Sequence, residues 1–119
     1  MLEKLKILNL WHQTNNKGKI MNHLFVCLVH YTKPLEEVLQ KLDVHRAYLK
    51  KGYDKGILLA SGARNPRDGG IIIGKFTNKD EAVRFSQADP FTQHNLARYE
   101  IFEFEPVLHA DFLKEFLQS

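Results

Sequence analysis

At 119 residues, with 44% apolar and 26% charged side chains, the chain suffices for one hydrophobic core and is too short for two ordinary domains. No apolar run approaches the ~20 residues that a membrane helix needs. The net charge of +3 sits in residues 1–20, where Lys4, Lys6, Lys17 and Lys19 face only Glu3, while residues 21–119 balance 13 basic against 13 acidic side chains, so the electrostatic case for nucleic-acid binding falls away.

Residues 1–20 differ in pattern from the rest of the chain. Glu3, Lys4 and Lys6 interrupt their apolar positions, which is a poor signal-peptide core, and Thr14 to Lys19 read as a polar loop. The domain is expected to begin at Met21, with residues 1–20 as an N-terminal extension lying upstream of it. The competing reading is a short amphipathic helix that packs on the domain.

Residues 23–30 form a continuous apolar strand. Cys27 lies within it; a single cysteine cannot form an intramolecular disulfide, and its apolar neighbours mark it as a small core residue. With no secretory signature, this points to the cytosol. Pro34 can open a helix, because its missing N–H costs nothing at the first turn. The stripe Leu35, Val38, Leu39, Leu42, His45 (or Arg46) and Leu49 continues it at helical spacing, and Gly52 is a plausible stop. Residues 57–63 and 70–76 read as two strands of a hairpin, turning through Arg64-Asn65-Pro66-Arg67-Asp68-Gly69.

Thr77-Asn78-Lys79-Asp80-Glu81 predicts a helix start capped by Asn78 or Thr77, and Pro90 predicts its end near Asp89. Residues 98–105 are a fourth strand. His109 to Gln118 predict a C-terminal helix with Phe112, Leu113, Phe116 and Leu117 on its apolar side. The order β-α-β-β-α-β predicts an α+β, ferredoxin-like fold: an antiparallel sheet with helices on one face. Yet the first strand is apolar on both faces, and Ile71-Ile72-Ile73 repeats this. A one-sided sheet should alternate apolar and polar, so something must cover the second face. A second copy of the same sheet is the simplest cover, and a homodimer is expected.

The residues resemble the YCII-related family of small dimeric α+β proteins over about 22–106. The likeness rests on His45-Arg46-Ala47-Tyr48-Leu49, Gly56 to Gly62, Asn65-Pro66-Arg67-Asp68-Gly69-Gly70, Asp80-Glu81-Ala82 and Asp89-Pro90-Phe91. It implies a ferredoxin-like fold, a dimeric α+β barrel, and an active site built on a histidine and an aspartate, which map to His45 and Asp89. Lyase or dehydrohalogenase-like chemistry on ring compounds is known in the family. Members often carry Gly-Pro where this chain has Gly62-Ala63.

Each candidate has two readings. Imidazole titrates near neutral pH, so His45 suits general acid–base work; alternatively it is a core histidine continuing an apolar stripe. Asp89 before Pro90 is a helix N-cap, worth about 1 kcal/mol, and a capping carboxylate can still orient a histidine with its second oxygen. Ser61 and Gly62 end a strand and can also line a substrate site, with Ser61 as a donor rather than a nucleophile, since no Gly-x-Ser-x-Gly elbow surrounds it. Arg46, Arg64 and Arg67 are surface charges or anion ligands. Phe91 is a core residue or a ligand wall. The histidines lack metal-ligand spacing, and neither a metal nor a cofactor is expected.

These residues support two functions. One is an enzyme of lyase or isomerase type doing acid–base chemistry on a small cyclic or enolisable molecule. The other is a non-catalytic dimeric binding or scaffold domain. A cofactor-free oxygenase is a third idea that rests on fold analogy alone.

Overall fold

In a computed structural model, residues 23–119 are described; the readings for residues 1–20 lie outside them. Four strands make one antiparallel sheet: β1 (His23–Tyr31), β2 (Leu58–Ala63), β3 (Gly69–Phe76) and β4 (Ala97–Phe104), in the order β2-β3-β1-β4. The helices are α1 (Leu35–Leu39), α2 (Leu42–Asp54), α3 (Lys79–Ala88), α4 (Pro90–Gln93) and α5 (Lys114–Gln118), the last preceded by a 3-10 turn at Asp111–Leu113. This is the ferredoxin-like arrangement expected from the element order. Two β-α-β units interleave so that β3 lies between β1 and β2.

Strand alternation decides which side chains meet the helices. Phe25, Cys27 and Val29 of β1, Ile72 and Phe76 of β3, and Tyr99 and Ile101 of β4 face α1 to α4. Phe25 and Phe76 meet edge to face at the centre of this core, with ring centroids 5.4 Å apart. Cys27 is fully buried, and that burial pushes its thiol up to about 11.

Helix ends follow local chemistry. The Asn78 side chain accepts from the Glu81 amide at 2.9 Å, capping α3 as the sequence predicts. The single helix expected from Pro34 to Gly52 is instead two. After Leu39 the backbone tightens, with Gln40 and Lys41 bonding three residues back to Glu37 and Val38. The offset buries Val38 and leaves Leu35 and Leu39 partly in solvent. Gly52 is no stop: it lies inside α2, and a Cβ there would come within 2.7 Å of Leu58 Cδ1. The residue that ends the helix is Gly56, at φ 75°, where the Gly56 and Ile57 amides cap the Tyr53 and Gly52 carbonyls.

The second sheet face carries the cross-strand rows Phe104–Leu24–Lys75 and Phe102–Val26–Ile73. The chain itself covers one end of it, since Leu117 buries against Leu24, with Ile73, Leu113 and Phe116 around them. Lys75 is buried there. Its ammonium sits 4.6 Å from the centroid of the Phe116 ring and donates to the Phe116 and Ser119 carbonyls. Burial holds its pKa below the ordinary lysine value. Phe102 and Phe104 stay half exposed, at 50% and 46%. Among the described residues, no helix is long and apolar enough to cross a membrane.

Candidate active site

His45 and Asp89, 44 positions apart, meet beneath the helices. Asp89 is the hinge between α3 and α4. Pro90 cannot continue a helix behind it, so Asp89 takes an extended conformation (φ −65°, ψ 129°) and caps α4. Its Oδ1 accepts from the Phe91 amide at 3.0 Å, and the same oxygen lies 2.8 Å from His45 Nδ1. One oxygen thus both caps α4 and meets the His45 ring, rather than the second oxygen taking the histidine as expected from the sequence.

A third donor completes this arrangement. The Tyr99 hydroxyl donates to Asp89 Oδ2 at 2.5 Å. Asp89 has no solvent exposure, and a carboxylate taken from water in this way is tolerable only when its lone pairs are satisfied. Three partners do so: the Phe91 amide and the His45 ring nitrogen on Oδ1, and the Tyr99 hydroxyl on Oδ2. Burial, then the Asp89 charge and its hydrogen bond, hold the Tyr99 hydroxyl far above the usual tyrosine range. Tyr48 is pushed up to about 12, by burial first and by the same carboxylate second; its hydroxyl donates to the Phe85 carbonyl at 2.6 Å.

The His45 ring stacks on Phe91, with centroids 3.9 Å apart and planes 4° from parallel. Phe91 is therefore both core and the wall that fixes the imidazole. With Nδ1 engaged, Nε2 is the free nitrogen; no described residue hydrogen-bonds it. His45 also lines a cavity of about 170 Å³ between α2 and the sheet. Leu42, Leu49, Ile72 and Phe91 make its apolar wall, and Ser61, Gly62, Arg46 and Arg67 add polar groups. Ser61 Oγ is tied to the Tyr53 hydroxyl at 2.7 Å. A Cβ added at Gly62 would touch nothing within 4 Å, so the backbone there is open to a close approach.

Arg64 stands apart from the cavity lining. Its guanidinium holds Asp68 Oδ1 at 3.0 and 3.2 Å and approaches His30 Nδ1 at 3.4 Å. His94, at the end of α4, is exposed and takes no part in the His45–Asp89 pair. Among the described residues no group of three or more His, Cys, Asp or Glu side chains is placed to hold a metal ion. Sequence reasoning missed Tyr99 and Tyr53: each is an isolated tyrosine, and the packing of β4 against α3 and α4, and of α2 against β2, brings them to Asp89 and Ser61.

The model of the YCII-related domain matches residues 24–105. Among solved structures, 5-chloro-2-hydroxyhydroquinone dehydrochlorinase from Burkholderia phenoliruptrix AC1100, in complex with 2,5-dihydroxybenzoquinone, superposes with a TM-score of 0.60 at 20% identity. The superposition covers 69% of this chain and 93% of that one, and it shows a shared fold. No curated protein matches the sequence.

Proposed function

The chain belongs to the YCII-related domain family, and from that premise we propose that it is a cytosolic, cofactor-free enzyme of lyase or isomerase type acting on a small cyclic or enolisable molecule. The observation that carries this reading is the His45 Nδ1 to Asp89 Oδ1 contact of 2.8 Å, which leaves Nε2 as the free nitrogen of a ring that lines a cavity. In the proposed step, Nε2 takes a proton from a C–H or O–H beside a carbonyl. The released electron pair forms a C=C or C=O bond. An anion then departs, or the imidazolium returns the proton at another carbon. Asp89 keeps the proton on Nδ1 and stabilises the imidazolium charge.

Ser61 and the backbone at Gly62 are the groups proposed to receive the developing oxyanion. An acid–base pair alone supplies ~10²–10⁴-fold, so binding in the cavity and oxyanion stabilisation must add the rest. The related fold of the dehydrochlorinase, solved with a dihydroxybenzoquinone, favours ring compounds as the class to try first. The dimer belongs to the same proposal. Val26, Ile71 and Ile73 are only partly buried and Phe102 and Phe104 are exposed on the second sheet face, a surface suited to a second copy.

The test works without an identified product. Hydroxylated quinones and halogenated hydroquinones are incubated with the protein in D₂O, and proton NMR follows loss of ring protons while an electrode follows halide release. Turnover that His45→Gln abolishes is the expected result; turnover unchanged by His45→Gln overturns the proposal. One observation favours a second reading, a non-catalytic binding domain. The parallel stacking of His45 on Phe91 is also what a packed structural histidine would show. On that reading His45→Gln lowers stability and leaves ligand affinity nearly unchanged.

A further inference from the structure

We infer that the mouth of the His45 cavity is an anion subsite formed by Arg46 and Arg67, and that the molecule it takes is a single ring bearing a carboxylate. This rests on the reading of the cavity as a substrate site and specifies what fills it.

Size sets the first limit. A dry cavity of ~150 Å³ accommodates benzene. The cavity here measures about 170 Å³, room for one ring with a small substituent. Its inner wall is apolar, with Leu42, Leu49, Ile72 and Phe91. A ring is held there by burial of apolar area, against the face that also presents His45.

Charge sets a second limit, independent of size. Among the described residues, the lining includes two arginines and no acidic side chain. Arg46 follows His45 on α2, so it stands about 100° around the helix from the imidazole, at the rim. Arg67 reaches the same rim from the β2–β3 turn. The turn holds two arginines, and Asp68 distinguishes them: it binds Arg64 through Nε and Nη2 and leaves Arg67 out. Neither Arg46 nor Arg67 has a hydrogen bond or ion pair to any described residue. Asp89 forms no ion pair with either arginine; its oxygens are taken by His45, the Phe91 amide and Tyr99. Two unpaired guanidinium groups at the rim of an apolar cavity match a planar, two-oxygen anion, which each can grip through paired N–H donors.

The probes are 2-hydroxybenzoate and its neutral isostere 2-hydroxybenzamide, titrated into the full chain at low salt by calorimetry and by amide-shift NMR. The carboxylate should bind about tenfold or more tightly than the amide, with a preference that shrinks as salt is raised. The double variant Arg46→Gln, Arg67→Gln should lose the preference, while Arg64→Gln keeps it. Equal binding of the two probes to the native protein, no binding of either, or a preference that survives the double variant overturns the anion subsite. A preference kept in His45→Gln alongside unchanged turnover would sink the acid–base proposal and leave the anion subsite standing, so the two fail separately.

Discussion

Tyr99 donates to Asp89 Oδ2, the carboxylate oxygen that neither His45 nor the Phe91 amide uses. The carboxylate is thus held from three directions, by a side chain on α2, a main-chain amide of α4 and a hydroxyl on β4. Tyr99→Phe removes one donor and leaves Oδ2 buried without it. We expect a stability loss of about 1–2 kcal/mol in urea denaturation. A fall in kcat with little change in KM should accompany it, since Tyr99 positions the carboxylate and does not line the cavity. A change in KM alone would contradict this placement.

Asp89 separates into its two roles by substitution. Asp89→Asn keeps an oxygen for the Phe91 amide and for His45 Nδ1 but loses the charge that stabilises imidazolium. It should stay folded within about 1 kcal/mol and lose ~10²–10⁴-fold in turnover. Asp89→Ala also removes the cap and strands the His45 and Tyr99 donors, for a cost of about 3 kcal/mol or more. Equal stability of the two variants would show that the cap contributes nothing.

Alkaline pH should weaken the fold in steps. The Cys27 thiol ordinarily loses its proton near 9.0, but burial in the folded core raises it to about 11. Above pH 9 the unfolded chain therefore binds fewer protons than the folded one, and stability falls with rising pH. The contribution is complete below pH 9 and is lost as pH climbs toward 11, roughly 2–3 kcal/mol in all. Tyr48 and Tyr99, also raised, steepen the fall above pH 10. In chemical denaturation at pH 8, 9, 10 and 11, Cys27→Ala should start lower and flatten the curve between pH 9 and 10. A parallel curve would mean that Cys27 has no part in it.

Phe102 and Phe104 lie on the sheet face opposite the helices, half exposed. If two copies pair through that face, Phe102→Asp buries a charge at the contact and should give a monomer in light scattering at micromolar concentration, with little loss of monomer stability. A native chain that is already monomeric there would remove the dimer from the proposal.

Two glycines should respond in opposite ways. A methyl at Gly52 meets Leu58 Cδ1 at 2.7 Å, in the packing of α2 against β2. Gly52→Ala should cost about 1–3 kcal/mol. Gly62→Ala meets nothing and needs no positive φ, so it should raise stability by about 0.4–1 kcal/mol.

The features legible in the sequence are local ones. Asn78 and Asp89 announce their capping roles through the residues after them, because capping is settled within three positions. Strand alternation marks both sheet faces of β1 as apolar. Long-range choices are not legible in the same way. Gly52 and Gly56 are both sound helix stops in sequence; the contact of α2 with Leu58 places one inside and the other at the end. Arg64 and Arg67 are equivalent in the turn until Asp68 pairs with one of them. Tyr99 reaches Asp89 through the packing of β4 against α3 and α4, which no local pattern encodes.

The paired residues sit in different halves of the chain: His45 belongs to the β1-to-β2 unit and Asp89 to the β3-to-β4 unit, and the sheet interleaves the two. Neither half holds a site. A chain cut in the Arg64–Asp68 turn would yield two inactive fragments, and the recovery of turnover on mixing would count assembled molecules directly. On the proposed function, the same arrangement makes the chain its own folding sensor, because any opening that parts the halves separates His45 from Asp89.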